Sequence, residues 1–329
     1  MFTIASLIVA APYTLVVGGD LMFNGIRPGT GPLTGVAETL READFAFANL
    51  EVPLTNSKTV TQRKSAVELK ARSQFVLKAD PKHIASLVNA GIDAVSLANN
   101  HAMDYGASGN AEMRRLLAGS QIRFAGAGPD GDSASALTVV TGRDGFRVGL
   151  LSALAFAGRG ALRKCSPAGL GAPGVNVLAF DGRIDDNARA KLASWVGSAK
   201  SRCDYLVVAL HWGIERQPKP NGYQKALGHA VIDAGADLVW GHHPHVLEPA
   251  ETYKGAAILY STGNLVSALP ARTALYRLEI DRHATTSVTE IPVTISGGKT
   301  RLVALKARSM VPKRILRTTR RFGRSTDHA

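Results

Sequence analysis

The sequence predicts an α/β fold, and three observations predict it. Short apolar runs of β type alternate with helical stretches along the chain, the pattern of sheet covered by helix. Five of those runs end in side chains able to bind a cation, as expected where strand ends converge on one sheet edge. The 45% hydrophobic and 20% charged fractions are those of a globular chain, which excludes wholesale disorder.

Residues 13–17 read as the first strand, running into Gly18-Gly19-Asp20. A helical stretch follows at 33–42, and 45–50 is a second buried strand. Asp80-Pro81 opens a helix, because the carboxylate caps free N–H groups and the proline ring is preset for a first turn; it runs to about Asn89 and stops at Gly91. Residues 93–98 form the third strand, ahead of Asn99-Asn100-His101. A helix over 108–117 and a short strand near Phe124 come next, and Asp144-Gly145 marks a hairpin between 137–141 and 146–152. Residues 156–181, rich in Gly, Ala and Pro, read as a long surface loop bordering the site. Then come an amphipathic helix (184–199), a buried strand (205–210), a helix (223–234) and two short strands (237–240 and 256–260). Residues 274–280, 287–295 and 300–306 read as a meander with Gly297-Gly298 as one turn.

The net charge of +13 resembles a nucleic-acid signal until it is located. Much of it lies in Lys306, Arg308, Lys313, Arg314, Arg317, Arg320, Arg321 and Arg324, with Asp327 as their acidic neighbour. The chain therefore divides into a domain over 13–308 and a basic tail over 309–329 that lacks apolar periodicity and reads as disordered or only locally helical. No aromatic-basic interleaving supports a specific nucleic-acid module, and such a tail suits anionic lipid or an acidic polymer. Residues 1–12 read either as the remnant of an export signal or anchor, or as an extension of the first strand. Cys165 and Cys203 are too few for a thiolate metal site, so metal chemistry here falls to His, Asp, Glu and Asn.

Carboxylates supply the charge that holds divalent cations, imidazoles add borderline-soft nitrogen donors, and an amide oxygen fills a remaining position. Such groups follow the apolar runs: Asp20 after 15–17, Asn49 and Glu51 after 45–47, Asn100, His101 and Asp104 after 95–97, and His211 after 206–208. Each also has a plain structural reading, Gly18-Gly19-Asp20 and Asn99-Asn100-His101 as turns and His211 as a packed core histidine. His242, His243 and His245 after 238–240 differ, because imidazoles so crowded behind a buried strand are hard to explain by structure alone.

Taken in order, the stretches 19–22 (Gly-Asp-Leu-Met), 49–53 (Asn-Leu-Glu-Val-Pro), 97–106 (Leu-Ala-Asn-Asn-His-Ala-Met-Asp-Tyr-Gly), 211–215 (His-Trp-Gly-Ile-Glu), 241–245 (Gly-His-His-Pro-His) and 260–264 (Tyr-Ser-Thr-Gly-Asn) resemble a known motif set. It is that of the CapA-type capsule (poly-γ-glutamate) synthesis proteins of the calcineurin-like metallophosphatase superfamily. The resemblance covers residues 15–266 and implies a four-layer α-β-β-α sandwich with two divalent metal ions, their identity open among Mn, Fe, Zn and Mg. It implies that Asp20 and His245 serve one metal, that Asn100, His211 and His243 serve the other, and that Glu51 bridges both. It makes His101 a general acid with Asp104 as its orienting partner. Asn49, Asn99, Glu215, His242 and Asn264 fall to supporting or substrate-contacting positions. Met22 stands where most of the superfamily has a histidine ligand, and Glu51 where it has aspartate, so one metal is less fully ligated.

Two functions compete on this reading. One is a hydrolase acting on a phosphoester, or on another ester or amide, through metal-activated water. The other is a non-catalytic envelope component that uses the metal site to bind or help export an anionic capsule polymer, alone or with other capsule-synthesis proteins. The bacterial cell envelope, membrane-associated or exported, is the favoured setting, with the cytoplasm left open.

Overall fold

The computed structural model describes residues 12–61, 63–282, 284–303 and 308–310. The chain opens with β1 (Tyr13–Leu21), α1 (Ala37–Arg41), β2 (Phe45–Leu50), α2 (Ala66–Lys70), α3 (Ile84–Ala90) and β3 (Ala94–Ser96). There follow α4 (Gly106–Gly119), β4 (Arg123–Ala125), β5 (Ala127–Gly128), α5 (Gly131–Ser135), β6 (Thr138–Thr141), β7 (Arg147–Leu154), α6 (Arg159–Lys164) and β8 (Gly174–Val175). The remainder is α7 (Asp186–Lys200), β9 (Tyr205–His211), α8 (Gly222–Asp233), β10 (Leu238–His242), β11 (Ala250–Tyr253), β12 (Ala256–Leu259), β13 (Asn264–Val266), β14 (Ala271–Ile280), β15 (Thr285–Ser296), β16 (Lys299–Leu302) and β17 (Arg308–Met310).

These strands form two large sheets. The first runs β16-β15-β14-β1-β2-β3-β4, with β13 paired to β1 and β17 to β15; the second runs β11-β12-β10-β9-β7-β6. Within the first, β1 to β4 are mutually parallel, and within the second, β7, β9, β10 and β12 are. Parallel strands buried on both faces are apolar throughout, which is why β1 and β9 are continuous hydrophobic runs rather than alternating ones. Successive side chains divide between opposite faces. Leu15 and Val17 enter a core between the sheets, while Val16 enters one beneath the helices of the first sheet. Likewise Tyr205, Val207 and Ala209 face the inter-sheet core, and Leu206, Val208 and Leu210 face the core shared with α7 and α8. Three cores between four layers make the α-β-β-α sandwich that the motif resemblance implied.

Helix boundaries follow local chemistry. Asp80 accepts from the Lys82 backbone N–H at 2.8 Å, and α3 ends at Gly91, whose φ of 77° suits a residue without Cβ. Asn221 and Gln224 form a reciprocal capping box at the start of α8. The helix expected over 33–42 shrinks to α1, because Gly35 is held against the 300–301 backbone, where an added Cβ would lie 2.6 Å from the Thr300 carbonyl oxygen. The 156–181 stretch is a loop interrupted by α6 and β8. β11, unforeseen in the sequence, pairs with β12 across Lys254-Gly255, both at positive φ. At the far end, β17 pairs Met310 with Val288, so Ser309 and Met310 of the expected tail lie in the sheet. The expectations for 1–11 and 311–329 lie outside the described residues. Cys165 and Cys203 are buried free thiols, and among the described residues no helix is long and apolar enough to cross a membrane.

The sheets are drawn together where their parallel strands end. Trp240 donates its indole N–H across the gap to the Gly18 carbonyl at 3.1 Å. Gly19 and Gly241 occupy positions where a Cβ would stand 1.9 Å from the Gly263 oxygen and 2.0 Å from the Tyr260 oxygen. Gly18-Gly19 is strand, not turn, and Gly19 is there for close backbone approach. Gly241→Ala is expected to cost at least about 2 kcal/mol in a denaturant melt, because the clash is with backbone and cannot be relieved by a rotamer change. A loss under about 0.5 kcal/mol would show that this contact does not constrain the rim.

Candidate metal centre

Strand register, more than any single loop, assembles the site. In the first sheet Asp20 lies beside Asn49 on one side and Asn264 on the other, and in the second His211 lies beside His242. Both sets of strands end on the same rim, so groups far apart in the chain meet, as where the His243 backbone N–H donates across 223 positions to Asp20 Oδ2 at 3.3 Å. Asp20, Asn49, Glu51, Asn99, His211 and His242 are at most 1% exposed.

Around Asp20, Asn49 Nδ2 donates to Oδ1 at 2.8 Å and His245 Nδ1 stands 3.2 Å from Oδ2. His245 Nδ1 also lies 2.9 Å from Asn264 Oδ1, and its Nε2 is 3.8 Å from Glu51 Oε1. His211 Nε2 is 3.6 Å from the same Glu51 oxygen and 2.9 Å from Asn100 Oδ1. Two triads have ligand atoms within 4.8 Å of one another, Glu51–His243–His245 and Asp20–Glu51–His211. Both contain Glu51. They group His243 with His245 and His211 with Asp20, unlike the partition the resemblance implied, and the cluster is compact enough for either. The donor set fits divalent cations on an independent observation: both carboxylate oxygens of Glu51 and Nδ1 of His243 are buried without a hydrogen-bond partner. A buried carboxylate lacking partners is costly, and cations would satisfy it.

The electrostatics follow from that arrangement. Burial, reinforced by the Asp20 charge, pushes the Glu51 carboxyl well above the usual carboxylate range. Burial also opposes charge on Asp20 and His245, but their mutual contact and neighbours prevail, leaving Asp20 below its ordinary value and His245 raised to about 10. Burial lowers His243 to about 3 and His242 to about 4, and with the surrounding imidazoles holds His211 well below 6.5. Neutral imidazole is the form that ligates a cation.

The remaining expected residues divide by role. Asn99 is a turn-former: its Oδ1 accepts from the backbone N–H groups of His101 and Ala102, and its Nδ2 donates to the Leu50 carbonyl at 2.9 Å. His242 packs edge-on against Trp240, 4.3 Å between ring centroids, and neither of its ring nitrogens has a partner, so it fixes no loop by hydrogen bonding. Glu215 is exposed at the rim and raises Glu51 further by its charge. Met22 is partly buried and bonds through its backbone N–H to the Val266 carbonyl.

His101 and Asp104 form a buried pair, His101 Nδ1 lying 2.7 Å from Asp104 Oδ2. His101 is close enough to His211 and His243 for its charge to lower both. Two neighbours escaped sequence reading. Lys64 places its ammonium on Asp104 Oδ1, and nothing in the polar stretch around it distinguishes it from exposed Lys58 or Arg63. Phe156, the first residue of the Gly/Ala/Pro-rich segment, packs 4.6 Å from the His243 ring. That segment does border the site, although its cavity of about 320 Å³, lined by Arg159, Leu162 and Arg163 among others, includes none of the cluster residues.

An α-β-β-α sandwich with carboxylates and imidazoles gathered at one strand-end rim is a metallophosphatase-like architecture. Residues 14–269 match the family described as bacterial capsule synthesis protein PGA_cap, and the chain belongs to that family. It is 31% identical over 250 residues to the PGA biosynthesis protein CapA of Bacillus subtilis (strain 168), covering 76% of this chain and 57% of that protein. It is 29% identical over 287 residues to the capsule biosynthesis protein CapA of Bacillus anthracis, covering 85% and 63%. A probable polyglutamine synthesis accessory protein of Mycobacterium tuberculosis is 29% identical over 223 residues, covering 68% and 55%. The chain thus spans less than two thirds of these relatives' length.

Adding Mn²⁺ or Zn²⁺ to chelator-treated protein is expected to stabilise it by about 4 kcal/mol at a thousandfold excess over Kd. Elemental analysis should find that Glu51→Gln, which removes a charge shared by both triads, retains little metal. Affinity should rise between pH 6 and 8, because an entering cation displaces the protons held at Glu51 and His245. Calorimetry showing pH-independent binding, or a metal content unchanged by Glu51→Gln, would place the cations elsewhere.

Proposed function

We propose that this protein is a metal-dependent phosphoesterase-type hydrolase of the cell envelope, acting on a phosphoester or another bond of an anionic capsule polymer. The printed names of its relatives connect them to capsule and PGA biosynthesis, which supports the setting. Asp20, Glu51, Asn100, His211, His243 and His245 would hold two divalent cations. When bound, those ions supply an activated water and neutralise charge on the substrate oxygens.

The observation that carries the hydrolase reading is the His101–Asp104 pair. A protein that only binds a polymer needs cations but no proton donor. His101 is buried beside the cluster with Nδ1 engaged by Asp104, so donation to a leaving oxygen uses the imidazolium form, which burial opposes, lowering His101 below its ordinary value, and which the Asp104 carboxylate favours. Phe156 supplies an apolar wall beside His243 and limits water on that side. The non-catalytic reading draws support from Met22, a weak donor at a position where a further strong ligand would complete the set. The basic C-terminal stretch, if it takes a partner, suits anionic lipid or the polymer itself.

Purified, Mn²⁺-loaded protein is expected to hydrolyse generic phosphomonoesters or diesters. His101→Asn should lower kcat by about 10²- to 10⁴-fold, with metal content and KM little changed. A loaded protein inert to every ester, whose capsule phenotype survives His101→Asn, would overturn the hydrolase reading in favour of polymer binding.

A further inference from the structure

Residues 57–61 and 63–78 cross over the His101–Asp104 pair with little apolar anchorage. α2 within this segment contributes no buried residue, and Val67 and Phe75 are 77% and 48% exposed. Segments held so weakly by packing open readily unless polar contacts hold them. Here three of those contacts converge on one side chain. Lys64 is 4% exposed, and an ammonium so deeply buried needs a partner for every N–H it carries. It donates to the carbonyls of Phe75 at 2.7 Å and Asn100 at 3.1 Å, and to Asp104 Oδ1. Its three donors are therefore spent on the crossing segment, on the turn that carries Asn100, and on the partner of the proton donor.

Asp104 is correspondingly fixed from both sides. Oδ1 takes the Lys64 ammonium, and Oδ2 accepts from His101 Nδ1 and from the Leu77 backbone N–H, each at 2.7 Å. The Asp104 carbonyl also accepts from the Thr61 N–H at 2.9 Å. Without the ammonium, Oδ1 loses its partner and the carboxylate is held beside His101 through Oδ2 alone. At the outer edge the segment has a second tie, an ion pair from Glu68 to Lys164 of α6, but that pair is partly exposed and correspondingly weak.

We propose that Lys64 is the positioning residue of the His101–Asp104 pair and the latch that holds residues 57–78 across it. Its catalytic part rests on the hydrolase reading above; the latch does not. The test uses Lys64→Met, which keeps side-chain length and removes the charge. Protonation of the leaving oxygen matters for an alkyl phosphate and little for a p-nitrophenyl phosphate, whose leaving group needs no acid. The Mn²⁺-loaded variant should therefore lose about 100-fold or more in kcat on the alkyl ester and under about 10-fold on the nitrophenyl ester. In parallel, trypsin cleavage after Arg63, Lys70 or Arg72 under native conditions should rise about tenfold or more, because cleavage tracks the population of the open segment. Glu68→Gln, which leaves Lys64 in place, should change that cleavage by less than about threefold.

Equal loss on the two esters overturns the positioning role, and an unchanged trypsin rate in Lys64→Met overturns the latch. If the wild-type protein hydrolyses neither ester, the hydrolase reading fails and the trypsin comparison alone decides. Should Lys64→Met not fold, Lys64→Gln, which keeps an N–H donor, is expected to show the same leaving-group bias and cleavage increase in weaker form, and absence of both overturns the proposal.

Discussion

Asp20 and Glu51 place two carboxyl groups, neither exposed to solvent, side by side at the meeting of two sheets. Charge in such a place is costly, and like charges there oppose one another. The surroundings answer that cost only in part. Asn49 and His245 bond Asp20, whereas Glu51 keeps two partnerless oxygens and a carboxyl pushed upward by burial. Around them stand imidazoles that burial keeps neutral, with lone pairs available. Acids with unmet charge beside bases with unused lone pairs form a site that binding of cations would complete.

The architecture exists to hold those groups still. Parallel pairing fixes residues by ladder register, so Asp20, Asn49 and Asn264 are aligned by backbone pairing before any side chain takes part. The second sheet does the same for His211 and His242, and the bond from Trp240 to Gly18 ties one sheet to the other just behind the rim. Glycines 19 and 241 allow the flanking loop backbone to come within contact distance. His243 and His245 adopt positive φ, a conformation non-glycine residues take only when their surroundings impose it.

The proton-donor pair sits under a different regime. Asp104 and His101 come from a turn shaped by Asn99, but their second anchor is Lys64, delivered from a polar segment with almost no core of its own. The candidate cation cluster is thus built on strands, whereas the His101–Asp104 pair is tied to a segment held mainly by polar contacts.

Much of this was legible in the order of residues. Alternating apolar runs and helix signals determined the layered α/β fold, Asp80-Pro81 and Gly91 marked a helix's ends, and metal-capable groups behind apolar runs named the cluster, because strand ends in a parallel sheet share one edge whatever the loops between them. Local sequence misjudged 33–42, where contact with the 300–301 backbone overrides helical pattern, and missed β11, whose half-exposed residues carry no apolar period. Which histidine faces which carboxylate, the burial that sets their charge states, and the arrival of Lys64 at Asp104 were decided only by tertiary structure. Proximity between residues distant in the chain, and the dielectric around them, are properties of packing that composition and spacing do not encode.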